Sequence, residues 1–286
     1  WFLIRLIQGM SISTLFVLSE SWIVGAAGDN NRGKVVAFYA AILSGSFGAG
    51  PLLISFIGID GWLPFITGTV VITVGVLALL LIPADERSDP EETPPSGVLS
   101  FAPKAPMLVA AVGIMAVFDA ATLSLIPVYG VKVGLDLPTS ATMLTALILG
   151  NTVLQFPIGW MADRYSHRRL ITGLAIITAL CLLLLPLFVG TWPMWPLLIV
   201  LGTTGYGVYT VALTSLGNRF SGSELVSGSA CFSVMFGFGA LIGSVSGGWA
   251  MLGFGPHGLP LFLAATYFCL ILALTYRQLT HRENSV

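Results

Sequence analysis

The sequence predicts an all-α, polytopic membrane protein, and three observations carry that expectation. Apolar residues make up 56% of the chain and charged residues only 9%, against roughly 25% charged in soluble domains. Nine separate runs are long and apolar enough to approach the roughly 20 residues of a spanning helix. Cationic residues fall almost entirely on one side when the runs are counted alternately.

The nine runs cover residues 1–24, 35–57, 62–82, 105–129, 139–161, 170–189, 195–216, 225–251 and 259–276. Gly58, Gly61, Pro193, Gly253, Gly255 and Pro256 punctuate the gaps. One side collects Arg32, Lys34, Arg87, Lys104, Arg164, Arg168, Arg169, Arg219, Arg277 and Arg282; the other has Lys132 alone, and Arg5 stays inside the first run. Ten against one places the C-terminus in the cytoplasm by the positive-inside rule and the first run's start at the outer face. The chain opens with Trp1 inside an apolar run and has no basic stretch before it, so a piece of a longer protein is expected and a signal peptide is not.

Residues 83–106 form the one long polar stretch, with Asp85, Glu86, Asp89, Glu91 and Glu92 among several prolines. It reads as a flexible cytoplasmic linker between three runs and six. The expected layout is therefore 1–82, the linker 83–106, a six-helix bundle 107–279, and a cytoplasmic tail 280–286. A net charge of −1 leaves no electrostatic case for nucleic acid. Cys181, Cys231 and Cys269 sit in apolar runs without paired spacing, so neither disulfides nor metal ligands are expected. No H-E-x-x-H, G-x-S-x-G or phosphate-loop pattern occurs, so neither catalysis nor a bound cofactor is implied.

The loop Gly159-Trp-Met-Ala-Asp163-Arg164-Tyr-Ser-His-Arg168-Arg169 resembles the repeated loop signature G-x-x-x-D-R/K-x-G-x-R/K-R/K of the major facilitator superfamily. Five positions match, and Ser166 stands where the pattern prefers glycine. Taken as the loop between spans 8 and 9, it numbers the nine runs as spans 4–12 of the usual twelve, in two six-helix halves. Arg5-Leu-Ile-Gln8-Gly9 then resembles the span-4 signature. Gly45, Gly48, Gly50 and Pro51 resemble in part the span-5 signature found in exporters, with Leu53 and Ile54 replacing its following glycine. Glu20-Ser21-Trp22 and the small-residue span 11 are similar to a poorly characterised bacterial subgroup.

That resemblance implies a cytoplasmic gate of Gly159, Asp163, Arg164, Arg168 and Arg169, with Arg219, Arg32 and Glu20. Asp163 is expected at the helix N-terminus near Arg32-Gly33-Lys34, where a negative charge is favoured, and beside Arg219. Glu20 has a plainer reading as an ion pair with Arg32 or Lys34. Gly239, Gly243 and Gly247 recur every four residues, a spacing that lets backbones approach closely in lipid. With span 2 as their implied partner, they are expected to face lipid or an empty groove. Burial against another helix of this chain would count against the numbering.

Intramembrane polar residues are costly and are the functional candidates. Asp119 lies twelve residues beyond Met107, roughly 18 Å along a helix. It shares a face with Met115, Thr122, Ile126 and Tyr129, while Thr203, Tyr206, Thr210 and Thr214 share a face of a later run, with Tyr209 at its edge. Asn151 and Gln155, four apart, suit either interhelical hydrogen bonding or solute contact. Asp119 is expected to work as a cavity carboxylate that couples protonation to transport or binds a cationic solute group, with Arg5 or Tyr206 as candidate partners. The resemblance implies secondary transport of a small solute by alternating access, coupled to protons, by a monomer in the bacterial inner membrane. The competing class is a non-transporting sensor, scaffold or lipid-handling protein on the same fold.

Overall fold

The computed structural model describes residues 1–28, 30–57, 61–81 and 97–283. The helices are α1 (Phe2–Ala26), α2 (Arg32–Ile57), α3 (Leu63–Leu80), α4 (Val98–Phe101), α5 (Pro106–Lys132), α6 (Leu137–Val153), α7 (Gln155–Arg164), α8 (His167–Phe188), α9 (Met194–Arg219), α10 (Gly222–Gly253) and α11 (Gly258–Glu283). The described residues contain no strand. Seven helical units, with α6 and α7 counted as one, are long and apolar enough to cross a membrane. The large apolar side chains left exposed, from Phe2 and Leu3 on α1 to Leu241 and Trp249 on α10, are those a bilayer would cover. The chain is a multi-span membrane protein.

Local chemistry sets the helix limits. Asp136 caps α6, its carboxylate accepting from the Thr139 amide at 3.2 Å, and Pro138 fills the first turn. The hydrogen bonds from Thr139 hold the exposed Asp136 carboxyl below the usual carboxylate range. Gly61 and Gly255 have positive φ, at 70° and 72°, and turn the chain between helices. The expected run 139–161 is broken at Leu154 into α6 and α7. Pro157 explains the break: it has no N–H for the Val153 carbonyl, and its ring crowds that carbonyl.

α9 is the axis of the fold, buried along almost its whole length from Leu198 to Gly217 and touching α1, α2, α5, α6, α7, α8 and α10. Small residues permit these approaches. A Cβ on Gly150 of α6 would collide with the Ile199 carbonyl, and one on Gly202 of α9 with the Leu147 carbonyl. The Thr203 hydroxyl crosses the same junction to the Gly150 carbonyl at 3.1 Å.

Two expectations are corrected here. Gly239, Gly243 and Gly247 are buried against α5, where a Cβ would run into Ala116, the Val117 backbone or Leu125. The stripe has its partner within this chain, because Ala116, Val117 and Ala121 give α5 a low face that lets the glycine backbone approach. To that extent it counts against the numbering. The linker also ends earlier than expected. Phe101 of α4 is fully buried, meets Phe220 edge-on at 5.0 Å and covers Gly228 of α10, while Lys104 pairs with Glu224 at 2.5 Å. Residues 98–105 are therefore docked, whereas 83–96, with the five acids, lie outside the described residues, as do 284–286 of the tail.

Candidate functional site

The polar face of α9 organises the site. Tyr206, Tyr209 and Thr210 project from one side of a helix that also carries Thr203, Thr204 and Thr214 among glycine, alanine and aliphatic residues. Together with α1, α2, α5, α6 and α10 they line a cavity of about 390 Å³. Its walls are mainly apolar, from Ile12 and Leu43 to Met115 and Ile148, and several aromatic rings face it. Two ionisable carboxyls line it, Glu20 from α1 and Asp119 from α5. No Lys, Arg or His lines it among the described residues.

Each carboxyl has phenols as neighbours. The Tyr206 hydroxyl interacts with Asp119 and lies 3.5 Å from the Thr122 hydroxyl. Thr122 is fully buried and donates to the Phe118 and Asp119 carbonyls. Glu20 is 3% exposed, and its Oε1 accepts from Tyr209 of α9 and, at 3.5 Å, from Tyr39 of α2. A hydrogen-bond chain runs behind the cavity. Thr210 donates to Gln155 at 2.8 Å, Gln155 to Asn151 at 2.5 Å, and Asn151 to Ser44 at 2.5 Å. It links α9, α7, α6 and α2, and Gln155 at its centre is fully buried.

The end of the bundle that carries the basic residues is closed by a backbone-level contact. Asp163 of α7 accepts from the amides of Gly33 at 2.5 Å and Lys34 at 3.2 Å, in the first turn of α2. Four N–H groups at a helix start lack intrahelical partners, and a carboxylate there also meets the positive end of the helix dipole. Gly33 and Gly159 allow the approach, since a Cβ on either would overlap the other's carbonyl. Arg32 donates to the Val24 carbonyl at 3.1 Å, the Ala27 carbonyl at 3.1 Å and the Asn218 side chain at 2.5 Å. It thereby joins the end of α1 to the end of α9.

Of the expected cavity residues, Asp119, Tyr206, Thr210 and Asn151 line one space, with Thr122 and Gln155 directly behind it. Arg5 does not join them. It is exposed, donates to Gln8 at 3.1 Å and lies 4.4 Å over the Trp1 ring, so Asp119 has no partner there. Of the expected gate residues, Gly159, Asp163 and Arg32 meet. Arg164 stacks on Trp160 at 4.2 Å, Arg168 donates to the Leu274 carbonyl at 2.5 Å, and Arg169 and Arg219 are exposed. Asp163 and Arg219 form no ion pair among the described residues; His167 stands near both. Glu20 belongs to the cavity and not to the gate, because its side chain turns to Tyr209 and away from Arg32. In the small-residue stretch of α2, Gly45 faces Thr152 and Gly50 faces open space, while Gly48 and Pro51 lie outside the described side chains.

Sequence reasoning missed Tyr39, Ser44 and Asn218 as partners. Tyr209 was visible three positions after Tyr206 on the polar edge of α9. Tyr39 and Ser44 sit in an apolar run and acquire meaning only once α2 lies beside α1 and α6.

A bundle of spanning helices around a partly polar central cavity, locked at one end, defines the class of membrane transporters. A family model for the Major Facilitator Superfamily matches residues 1–148 and 108–286. The chain belongs to that superfamily. It is 25% identical over 280 residues to the uncharacterized MFS-type transporter YfkF of Bacillus subtilis, covering 96% of this chain and 71% of that one. Similarity to the uncharacterized MFS-type transporter YcaD of Escherichia fergusonii is 25% over 290 residues, covering 100% and 74%. Among solved structures, the MFS transporter FucP in its outward conformation shares the fold, with a TM-score of 0.66, 17% identity, and coverage of 92% of this chain and 72% of that chain. A variant of the E. coli fucose:proton symporter FucP aligns with a TM-score of 0.68 and 17% identity, covering 91% and 73%.

Proposed function

We propose that the protein moves a small solute across the bacterial inner membrane by proton-coupled alternating access, with Asp119 as the coupling carboxylate. The observation that carries this reading is the cavity lined by α1 and α2 on one side and by α5, α6, α9 and α10 on the other. It holds ionisable carboxyls without a cation and is shut at the basic end by Asp163 on the start of α2. A charge at mid-membrane costs about 2.5–3.5 kcal/mol on insertion scales, so a carboxyl kept there without a cationic partner suits a group that gains and loses a proton or meets a charged solute. In this reading α1–α3 and α5–α11 belong to two halves that rock about the cavity, and the basic end is cytoplasmic.

The FucP relative named as a fucose:proton symporter supports coupling to protons as a property available to this fold. The test is proton flux into proteoliposomes of the full-length protein, followed with an internal pH dye against cationic, neutral and anionic solutes. At least one solute class is expected to drive flux, and Asp119→Asn is expected to abolish it while insertion is retained. Flux in the Asn variant equal to wild type would remove Asp119 from the coupling role, and no flux with any solute would remove proton coupling.

A further inference from the structure

The cavity has a second carboxyl that proton coupling through Asp119 leaves without a task. Glu20 lines it from α1, a different helix from the α5 that carries Asp119. Both Tyr209 and Tyr39 approach the same oxygen, Oε1. Oε2 has no hydrogen-bond partner among the described residues, yet it is not among the atoms sealed away from all contact. A side chain 3% exposed thus presents one free carboxylate oxygen to the cavity. Phe16, Tyr39, Phe47, Tyr209 and Phe236 line the same space, and Tyr209 and Phe236 are held edge-on at 5.4 Å. The other titratable groups facing this volume are Asp119 and Tyr206, and α10 contributes Ser233 but no charge.

A negative group with aromatic faces around it and no competing cation is the arrangement that attracts an organic cation. The carboxylate supplies charge in a poorly hydrated setting, and ring faces add cation–π attraction. The same surroundings repel anions, and the mainly apolar walls favour a lipophilic solute over a polyhydroxylated one. We infer that Glu20 and its aromatic neighbours form the binding site for the cationic head of a lipophilic organic cation, and that this is the solute class the cavity accepts. The inference rests on the reading of this cavity as the transport site, with Asp119 carrying the proton and Glu20 the cation.

Tetraphenylphosphonium and tetraphenylborate share a shape and differ in the sign of charge. Equilibrium binding of each to the full-length protein in detergent tests the assignment. The phosphonium should bind saturably and the borate should not. Glu20→Gln should weaken phosphonium binding by about tenfold or more, and Glu20→Asp, which keeps the charge, should recover part of it. Phe236→Ala removes a ring and no charge, and should weaken binding by about threefold, which tests the site independently should Glu20→Gln fail to fold. Equal binding of both ions, no phosphonium binding, or an unaltered affinity in folded Glu20→Gln would overturn the inference. Absent phosphonium binding with Asp119-dependent proton flux intact rejects the cation class and spares proton coupling. Phosphonium binding without that flux does the reverse.

Discussion

Replacing Asp163 with Asn removes one charge and one acceptor at a contact whose geometry allows the effect to be sized. The carboxylate accepts the Gly33 and Lys34 amides at 2.5 and 3.2 Å, one on each oxygen. Asn offers a single oxygen, and its amino group would face the second N–H as donor against donor. A hydrogen bond to a charged group contributes about 1.5–3 kcal/mol net, and a carboxylate at a helix N-terminus about 0.3–1 kcal/mol at an exposed site. Asp163 is partly exposed, so solvent screening argues for the lower values, roughly 2 kcal/mol in total. If the contact forms only while the basic end is closed, that loss shifts the closed-to-open ratio about thirtyfold toward open.

Spin labels at Val35 and Tyr165, exposed positions flanking the contact on α2 and just beyond α7, would report the change by pulsed electron resonance. The Asn variant should show a longer distance population and slower solute uptake, with normal insertion. A distance distribution and uptake rate indistinguishable from wild type would refute the reasoning that this carboxylate closes the basic end.

Three further perturbations follow from the packing. Gly33→Ala should open the same end without altering charge, because the methyl would overlap the Gly159 carbonyl and crowd the Asp163 carboxylate; the same spin-label pair reads it, and an unchanged closed population would mean that charge alone sets the contact. Gly243→Leu forces a branched side chain onto the Val117 backbone and should lower thermal stability in detergent, with overpacking costing about 1–3 kcal/mol; a melting temperature equal to wild type would show that α5 and α10 can separate freely. Gln155→Leu leaves Asn151 and Thr210 each short of a partner and should cost about 0.6–2 kcal/mol in reversible unfolding, with uptake falling by more than unfolding explains if the chain to Ser44 positions α2.

Much of this architecture was legible in the sequence because lipid leaves few options: a long apolar run must be a helix with its backbone bonded internally. The loop from Gly159 to Arg169 likewise announced its contact, since a carboxylate with nearby arginines at a helix end has one natural backbone target. What stayed hidden depends on which helices lie side by side. Glu20 and Arg32 are twelve residues apart across a short connection, which made an ion pair the economical reading. Arg32 instead spends its donors on the Val24 and Ala27 carbonyls and Asn218, and Glu20 rotates inward to the phenols. Arg5 could not be ranked for depth from its neighbours, and its stacking on Trp1 answers the question locally. The break at Leu154 was marked by Pro157, but the runs on either side were apolar enough to read as one.

The two functional regions are mechanically joined by α2. Gly33 receives Asp163 at its first turn, Tyr39 reaches Glu20, and Ser44 receives Asn151. These positions are six and eleven residues along the helix from Gly33, about 9 and 16 Å at 1.5 Å per residue. A tilt of α2 that withdraws Gly33 from Asp163 therefore also moves the Tyr39 hydroxyl relative to Glu20, and it strains the amide chain whose far end is Thr210 on α9. The Tyr39 hydroxyl is the weakest of these links, at 3.5 Å from Glu20, and it is the one a solute head group at the Glu20 carboxylate would displace first. Removing it separates cavity from gate: Tyr39→Phe should leave the Asp163 contact and the spin-label distances of the empty protein unchanged. It should also reduce the shift in those distances that a bound solute produces. If the phenylalanine variant responds to solute as fully as wild type, the coupling runs through Ser44 and the amide chain alone.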